Sequence, residues 1–184
     1  MVHDVIISGF GGQGVLSMGE LLAYTAMHQG KNVTWLPAYG PEQRGGTSYC
    51  TVVISDEPVA SPISSEPEAI IVLNRPSLER FESQVRPGGL IVYNSSLIDV
   101  APQRKDVRVV AVPANEIADQ IGATTVANMV MLGAFLEILP VVSRAEVMKS
   151  LAETISARHH NLLPLDEDAL ERGAGVARRA VGQS

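Results

Sequence analysis

Cysteine is almost missing from this sequence: among 184 residues only Cys50 carries a thiol. One cysteine closes no intrachain disulfide and cannot supply the four thiolates of an iron–sulfur cluster. Positive charge is thin as well. Lys and Arg number 14 against 20 Asp and Glu, a net charge of −6. The basic residues are scattered rather than gathered into the patch a nucleic-acid surface needs. No apolar run approaches the roughly 18 residues of a membrane span. Met1-Val2-His3-Asp4 leads straight into a strand pattern with no basic stretch or signal core, so a cytoplasmic protein is expected. Recognisable catalytic signatures are missing too. There is no Ser-His-Asp order and no H-E-x-x-H; His3 and His28 are isolated, and His159-His160 has no second ligand cluster, which suits a solvated helix end. Aromatics are few at 4%, but hydrophobic residues reach 46% and charged ones only 18%. That is enough apolar material to fill the core of one domain over residues 1–184, and too much for a disordered chain.

What is present alternates. Val5-Ile6-Ile7 reads as a buried strand, Val15 to Gln29 as a helix with Gly30 at its C-cap, and Asn32 to Leu36 as a second strand closing a βαβ unit. Pro37 to Thr47 is a loop. Strands follow at Tyr49–Ile54, Ala69–Leu73, Leu90–Tyr93 and Val107–Val112, with an extended Pro- and Ser-rich connection over 55–67 and a short helix over Pro76–Gln84. From Ala114 the chain turns helical: Asn115–Ile121, Asn128–Leu139, Arg144–Ala157 and Leu165–Arg179, with Asp166 as candidate N-cap of the last. The second of these carries one charge, Glu137, and a helix apolar on nearly all faces is buried, either in the core or between subunits. The expected fold is α/β: a Rossmann-like, mostly parallel, doubly wound sheet with helices on both faces and a helical C-terminal tail.

The chemistry-bearing residues fall after strands. Gly9-Phe10-Gly11-Gly12-Gln13-Gly14 fits G-x-G-x-x-G between a strand and a helix. Such glycines let the backbone turn tightly and approach a ligand, and the helix N-terminus attracts an anion; the same residues also make a tight turn with no ligand. A dinucleotide site wants an acidic residue at the end of the second strand for the ribose hydroxyl. Here that strand ends Trp35-Leu36-Pro37-Ala38, so NAD is disfavoured while a phosphate contact stays open. The loop from Tyr39 and Gly40 through Arg44, Gly45, Gly46 and Thr47 offers a guanidinium fork and flexible backbone N–H groups to an anion, unless Glu42 and Arg44 simply pair at the surface. In a doubly wound sheet this loop and the glycine turn are expected to follow neighbouring parallel strands and share one edge. Asn74 and Asn94-Ser95-Ser96 fall on that edge as ligands or as caps. Asn128 reads as an N-cap and Cys50 as a core residue.

Taken in order, G-F-G-G-Q-G-V-L (9–16), L-P-A-Y-G-P-E-Q-R-G-G-T-S (36–48) and V-V-I-S-D (52–56) resemble the gamma subunit of 2-oxoacid:ferredoxin oxidoreductases. S-P-I-S (61–64), I-V-L-N-R-P-S-L (71–78) and G-G-L-I-V-Y-N-S-S (88–96) extend the likeness across most of residues 4–140. The wording is nearest the branched-chain (ketoisovalerate) type, and the 2-oxoglutarate type is similar. The resemblance implies a subunit, inactive alone, of an enzyme that converts a 2-oxoacid and coenzyme A to an acyl-CoA, CO2 and reduced ferredoxin. It implies thiamine diphosphate, Mg and iron–sulfur clusters in the whole complex, held on alpha, beta and ferredoxin-like delta partners. This chain is expected to hold no cofactor alone, since it has no G-D-G…N segment and too few cysteines. Nucleic acid and membrane are not expected partners. Carried onto this sequence, Gly11–Gly14 and Tyr39–Thr47 would form a ligand-facing edge for coenzyme A access and active-site closure, with Arg44 as its anion contact. The alternatives are a stand-alone Rossmann-like nucleotide-binding or regulatory module, and a structural subunit that touches no ligand.

Overall fold

The computed structural model describes residues 1–39 and 46–182, with the Tyr39 side chain excepted. Six strands form one sheet in the order β2-β3-β1-β4-β5-β6. At its centre β1 (Val2–Phe10) pairs in parallel with β4 (Ala69–Val72), β4 with β5 (Leu90–Asn94), and β5 with β6 (Arg108–Val112). The runs Val5-Ile6-Ile7 and Ala69–Val72 are buried on both faces, which is why they read as unbroken apolar stretches rather than alternating ones.

The left-hand wing departs from the sequence reading. β2 (Asn32–Tyr39) does run in the same direction as β1, but β3 (Thr47–Ser55) lies between them, antiparallel to both. Composition explains the placement. β3 buries Cys50, Val52 and Ile54 on one face and Thr51 and Val53 on the other, so it belongs inside the sheet. β2 carries Pro37, which cannot donate to a ladder and is tolerated at an edge. Only seven residues separate the end of β2 from the start of β3, too few for the crossover that a parallel pair needs, so the two pair antiparallel.

The two faces are unequal. α1 (Val15–His28), α3 (Ala114–Ile121), α4 (Ala127–Ile138) and α6 (Leu163–Val181) cover the larger core, with α5 (Arg144–Thr154) packed on α1 and α6. The opposite face is covered mainly by α2 (Arg75–Phe81), continued by a 3-10 turn at Glu82–Gln84. Because α1 leaves β1 on one face and α2 leaves β4 on the other, the sheet is doubly wound, and the crevice between the carboxyl ends of β1 and β4 is its switch point.

The nearly uncharged α4 is packed into the core of the chain itself: Met129 through Leu136 are all buried. It lies between the sheet and α6, and the two helices cross at glycines. A Cβ on Gly133 would overlap the Leu170 carbonyl, and one on Gly173 would overlap that of Val130. Its one charge, Glu137, takes hydrogen bonds from Arg178 Nε (3.0 Å) and Arg144 Nη1 (2.8 Å), tying α4, α5 and α6 together.

Two expected caps are corrected. α6 starts at Leu163, directly from a 3-10 turn at Ala157–Leu162, so Asp166 stands inside the first turn and caps nothing. α4 likewise winds out of a 3-10 turn at Thr124–Val126, leaving Val126 rather than Asn128 at the cap position. In both places a tighter helix supplies the preceding turn, so no side chain is needed to end it.

Candidate functional site

The turn after β1 is built by glycine and glutamine. Gly12 (φ 91°) and Gly14 (φ 76°) take left-handed conformations that other L-residues rarely adopt. Gln13 folds back: its Oε1 accepts the Phe10 N–H at 2.7 Å, and its own N–H donates to the Phe10 carbonyl at 3.2 Å. Gly9 leaves room for this, since a Cβ there would lie 2.5 Å from Gln13 Oε1. Gly11 donates its N–H to the Gly46 carbonyl at 3.2 Å, so the far end of the β2–β3 connection is fastened to the glycine turn. Gly14 caps α1 without a side chain, and no acidic residue sits in the first turn of that helix. Among the described residues no side chain caps its first N–H groups, and the positive end of its dipole lies at the carboxyl edge of the sheet.

A cavity of about 210 Å³ opens there, on the larger-core side of the switch point. Gly12, Gln13 and Gly14 form one wall, and Asn94, Asn115, Thr124, Thr125 and Asn128 supply amides and hydroxyls from the others. Among the described residues no charged side chain lines it. Asn94 is 1% exposed and acts as a bracket. Its Oδ1 accepts the N–H groups of Ser96 and Ala114, both at 3.2 Å, and its Nδ2 donates to Asn115 Oδ1 at 2.7 Å. Asn128 Nδ2 reaches the Gly14 carbonyl at 3.5 Å. Such a surface suits a polar or anionic group held by N–H donors, and its described residues include no acid–base pair.

The sequence-selected residues separate into groups. Gly12, Gln13, Gly14 and Asn94 line this cavity, while Gly9 and Gly11 shape the turn. Asn74 shares the edge with Asn94 but faces the other way. Val72 pairs with Tyr93 in register, and alternation sends Asn74 to the α2 face and Asn94 to the α3 face. There Asn74 Oδ1 caps α2 by accepting the Ser77 N–H at 2.9 Å. Gly46 and Thr47 stand at the base of the β2–β3 connection, with Thr47 opposite Phe10. Tyr39 is the last residue of β2, opposite Ser48. It is separated from β1 by β3, so the loop and the glycine turn share an edge but do not follow neighbouring strands. Gly40, Arg44 and Gly45 lie outside the described residues.

Asn115, Thr124, Thr125 and Asn128 were not singled out as ligand-facing in the sequence. A signal existed: each is a polar residue at the start of a helix whose preceding strand, β6, ends on the same edge. Among the described residues no three of His, Cys, Asp and Glu gather, and burial pushes the Cys50 thiol up to about 12.

The chain matches the family described as "Pyruvate ferredoxin/flavodoxin oxidoreductase" over residues 4–176. It is 41% identical to the ketoisovalerate oxidoreductase subunit VorA of Methanothermobacter marburgensis over 176 residues, 95% of this chain and 36% of that protein. It is 32% identical to the 2-oxoglutarate synthase subunit KorC of Methanocaldococcus jannaschii over 184 residues, 97% of this chain and 95% of that one. Its fold is similar to that of the gamma subunit of a keto/oxoacid ferredoxin oxidoreductase from Geobacter sulfurreducens, with a TM-score of 0.85, 27% identity and 98% of both chains covered. The chain thus spans about a third of the VorA relative and nearly all of the KorC relative. With the family matched along almost the whole sequence, and the glycine turn and switch-point cavity falling inside the match, the chain belongs to the pyruvate ferredoxin/flavodoxin oxidoreductase family.

Proposed function

We propose that this chain is the gamma subunit of a multisubunit 2-oxoacid:ferredoxin oxidoreductase, and that its switch-point cavity contributes to coenzyme A access and active-site closure. The enzyme would convert a 2-oxoacid and coenzyme A to an acyl-CoA and CO2 while reducing ferredoxin. Near-complete coverage of a relative named as a subunit supports the subunit reading. The observation that carries the site is the cavity itself: the glycine turn that leads into α1, with carboxamides and hydroxyls around it and no carboxylate among the described residues of its lining. Within this chain the residues bind and orient. Thiamine diphosphate with Mg and iron–sulfur clusters would supply the decarboxylation and electron transfer; among the described residues no three of His, Cys, Asp and Glu gather to hold a metal ion, and the one cysteine is buried. In this proposal they belong on the alpha, beta and ferredoxin-like delta partners. A dinucleotide-binding module is disfavoured by geometry as well as by the missing acid. With β3 interposed, the end of β2 is about 10 Å from β1 instead of about 5 Å.

The test is purification of the tagged chain from its host, followed by assay of what co-purifies with ketoisovalerate, 2-oxoglutarate and pyruvate. Arg44→Ala should raise the KM for coenzyme A roughly 10- to 150-fold, the equivalent of about 1.5–3 kcal/mol for one charge-assisted hydrogen bond. Arg44→Lys keeps the charge, loses the fork, and should recover only part of it. Lys31→Ala is the control, because Lys31 pairs with Asp56 on the surface at the opposite edge. A complex with Arg44→Ala that assembles and keeps both substrate constants removes Arg44 from the site.

A further inference from the structure

A second, wider depression adjoins the cavity and shares Thr125 and Asn128 with it. It encloses about 500 Å³ between α1, the start of α4, the end of α5 and the 3-10 turn that precedes α6. Its floor is apolar: Met18, Leu21, Met129, Leu151 and Ile155. Leu162 forms a lip and is 42% exposed, an unusual position for a leucine with nothing over it.

The ionisable side chains on this groove are the carboxylates of Glu20 and Asp166 and the imidazole of His159, and among the described residues no Lys or Arg lines it. Neither carboxylate has a hydrogen bond or an ion pair among the described residues. Arg158, close by in sequence, donates instead to His159 Nε2 at 3.2 Å and is not part of the lining. Asp166 is half-buried, and desolvation alone pushes its carboxyl above the ordinary range. A partly desolvated anion on an apolar wall is unfavourable until a cation pairs with it.

We propose that this groove seats an apolar segment of another subunit of the same enzyme, carrying one Lys or Arg whose cation lies between Asp166 and Glu20. The proposal rests on reading the chain as a subunit and adds where and by what chemistry a partner docks. Charge selects the occupant. An anionic small molecule is repelled by both carboxylates, and a second copy of a chain with net charge −6 meets like charge. The VorA relative, in which the matched region is 36% of the chain, carries further polypeptide joined to the equivalent region. A segment seated here would lie against Asn128 and so wall the polar cavity beside it.

The experiment uses the complex purified from the host. A photocrosslinking residue placed at Ile155 should link to a peptide of a different subunit, and mass spectrometry should find Lys or Arg in that peptide flanked by apolar residues. Linkage to a second copy, linkage only within the chain, or none overturns the proposal. Asp166→Asn supplies the independent arm, with opposite signs in two measurements. The free chain should melt at a higher temperature near pH 7.5, and the complex should dissociate at least about tenfold faster. Asp166→Lys should prevent assembly, and exchanging the linked cation for Asp should restore it. An active complex that tolerates Asp166→Lys overturns the groove alone. Wild-type chain that co-purifies with no oxidoreductase subunit overturns the subunit reading and the groove together.

Discussion

Asn128 holds its side-chain amide 2.5 Å from where a Cβ on Gly14 would lie, packing the cap of α1 against a residue 114 positions later in the chain. This contact joins the glycine turn to the helical half of the molecule. It also separates two costs that a glycine substitution usually mixes. Gly12→Ala meets no atom within 4 Å and bears only the left-handed backbone penalty of about 1–2 kcal/mol. Gly14→Ala bears the same penalty plus the collision with Asn128. Urea unfolding should therefore show Gly14→Ala as the less stable variant, and Asn128→Ala should narrow the gap between them. Equal midpoints for the two alanine variants would remove the contact from consideration.

The crossing of α4 and α6 makes a second comparison. Gly133→Ala and Gly173→Ala each drive a methyl into a backbone carbonyl, which cannot rotate away as a side chain does. Each should cost about 1–3 kcal/mol or more in stability. Gly175→Ala, on the same helix, meets only the end of Arg179 at 3.5 Å and gains helix propensity, so it should stabilise by up to about 1 kcal/mol. Thermal melts of the three variants test the sign at each position.

Acid should loosen the same bundle. The Arg178 guanidinium, with Arg144 behind it, holds the Glu137 carboxyl below the ordinary glutamate range. A carboxylate with a lowered native pKa is stabilising above its unfolded value, near 4.5, and loses that contribution as the pH falls through its native value. Glu137→Gln should therefore be less stable than wild type at pH 7, and the two should converge in strong acid. A gap that persists at the acid end would show that packing, not charge, is responsible.

Cys50 should be silent to thiol reagents. Burial pushes its thiol up to about 12, and the side chain is fully enclosed in the larger core. At pH 8 a disulfide reagent should react only at the rate of global opening, and urea should accelerate the reaction in step with unfolding. Rapid labelling of the native chain would contradict this burial.

Much of this was open to a reader of the sequence. Apolar runs such as Ala69–Val72 become central strands because burial on both faces leaves no room for polar residues. The G-x-G-x-x-G pattern becomes the β1–α1 turn because Gly12 and Gly14 take backbone angles that other residues resist. The family was legible for the same reason, since the motifs lie in segments whose backbone shape restricts their residues. Strand order was not legible. Whether β2 or β3 lies beside β1 depends on which strand can bury both faces, a property of the assembled sheet and not of either segment. Nor was it legible that α4 would be core, because an apolar helix suits a subunit interface equally well until α6 is seen to cross it at Gly133 and Gly173. The cavity depends on tertiary structure most of all. Asn94 and Asn74 look alike after their strands, and only the parallel register turns one toward α3 and the other toward α2. Asn128 enters the site because two helices meet there, a relation that spacing along the chain does not encode.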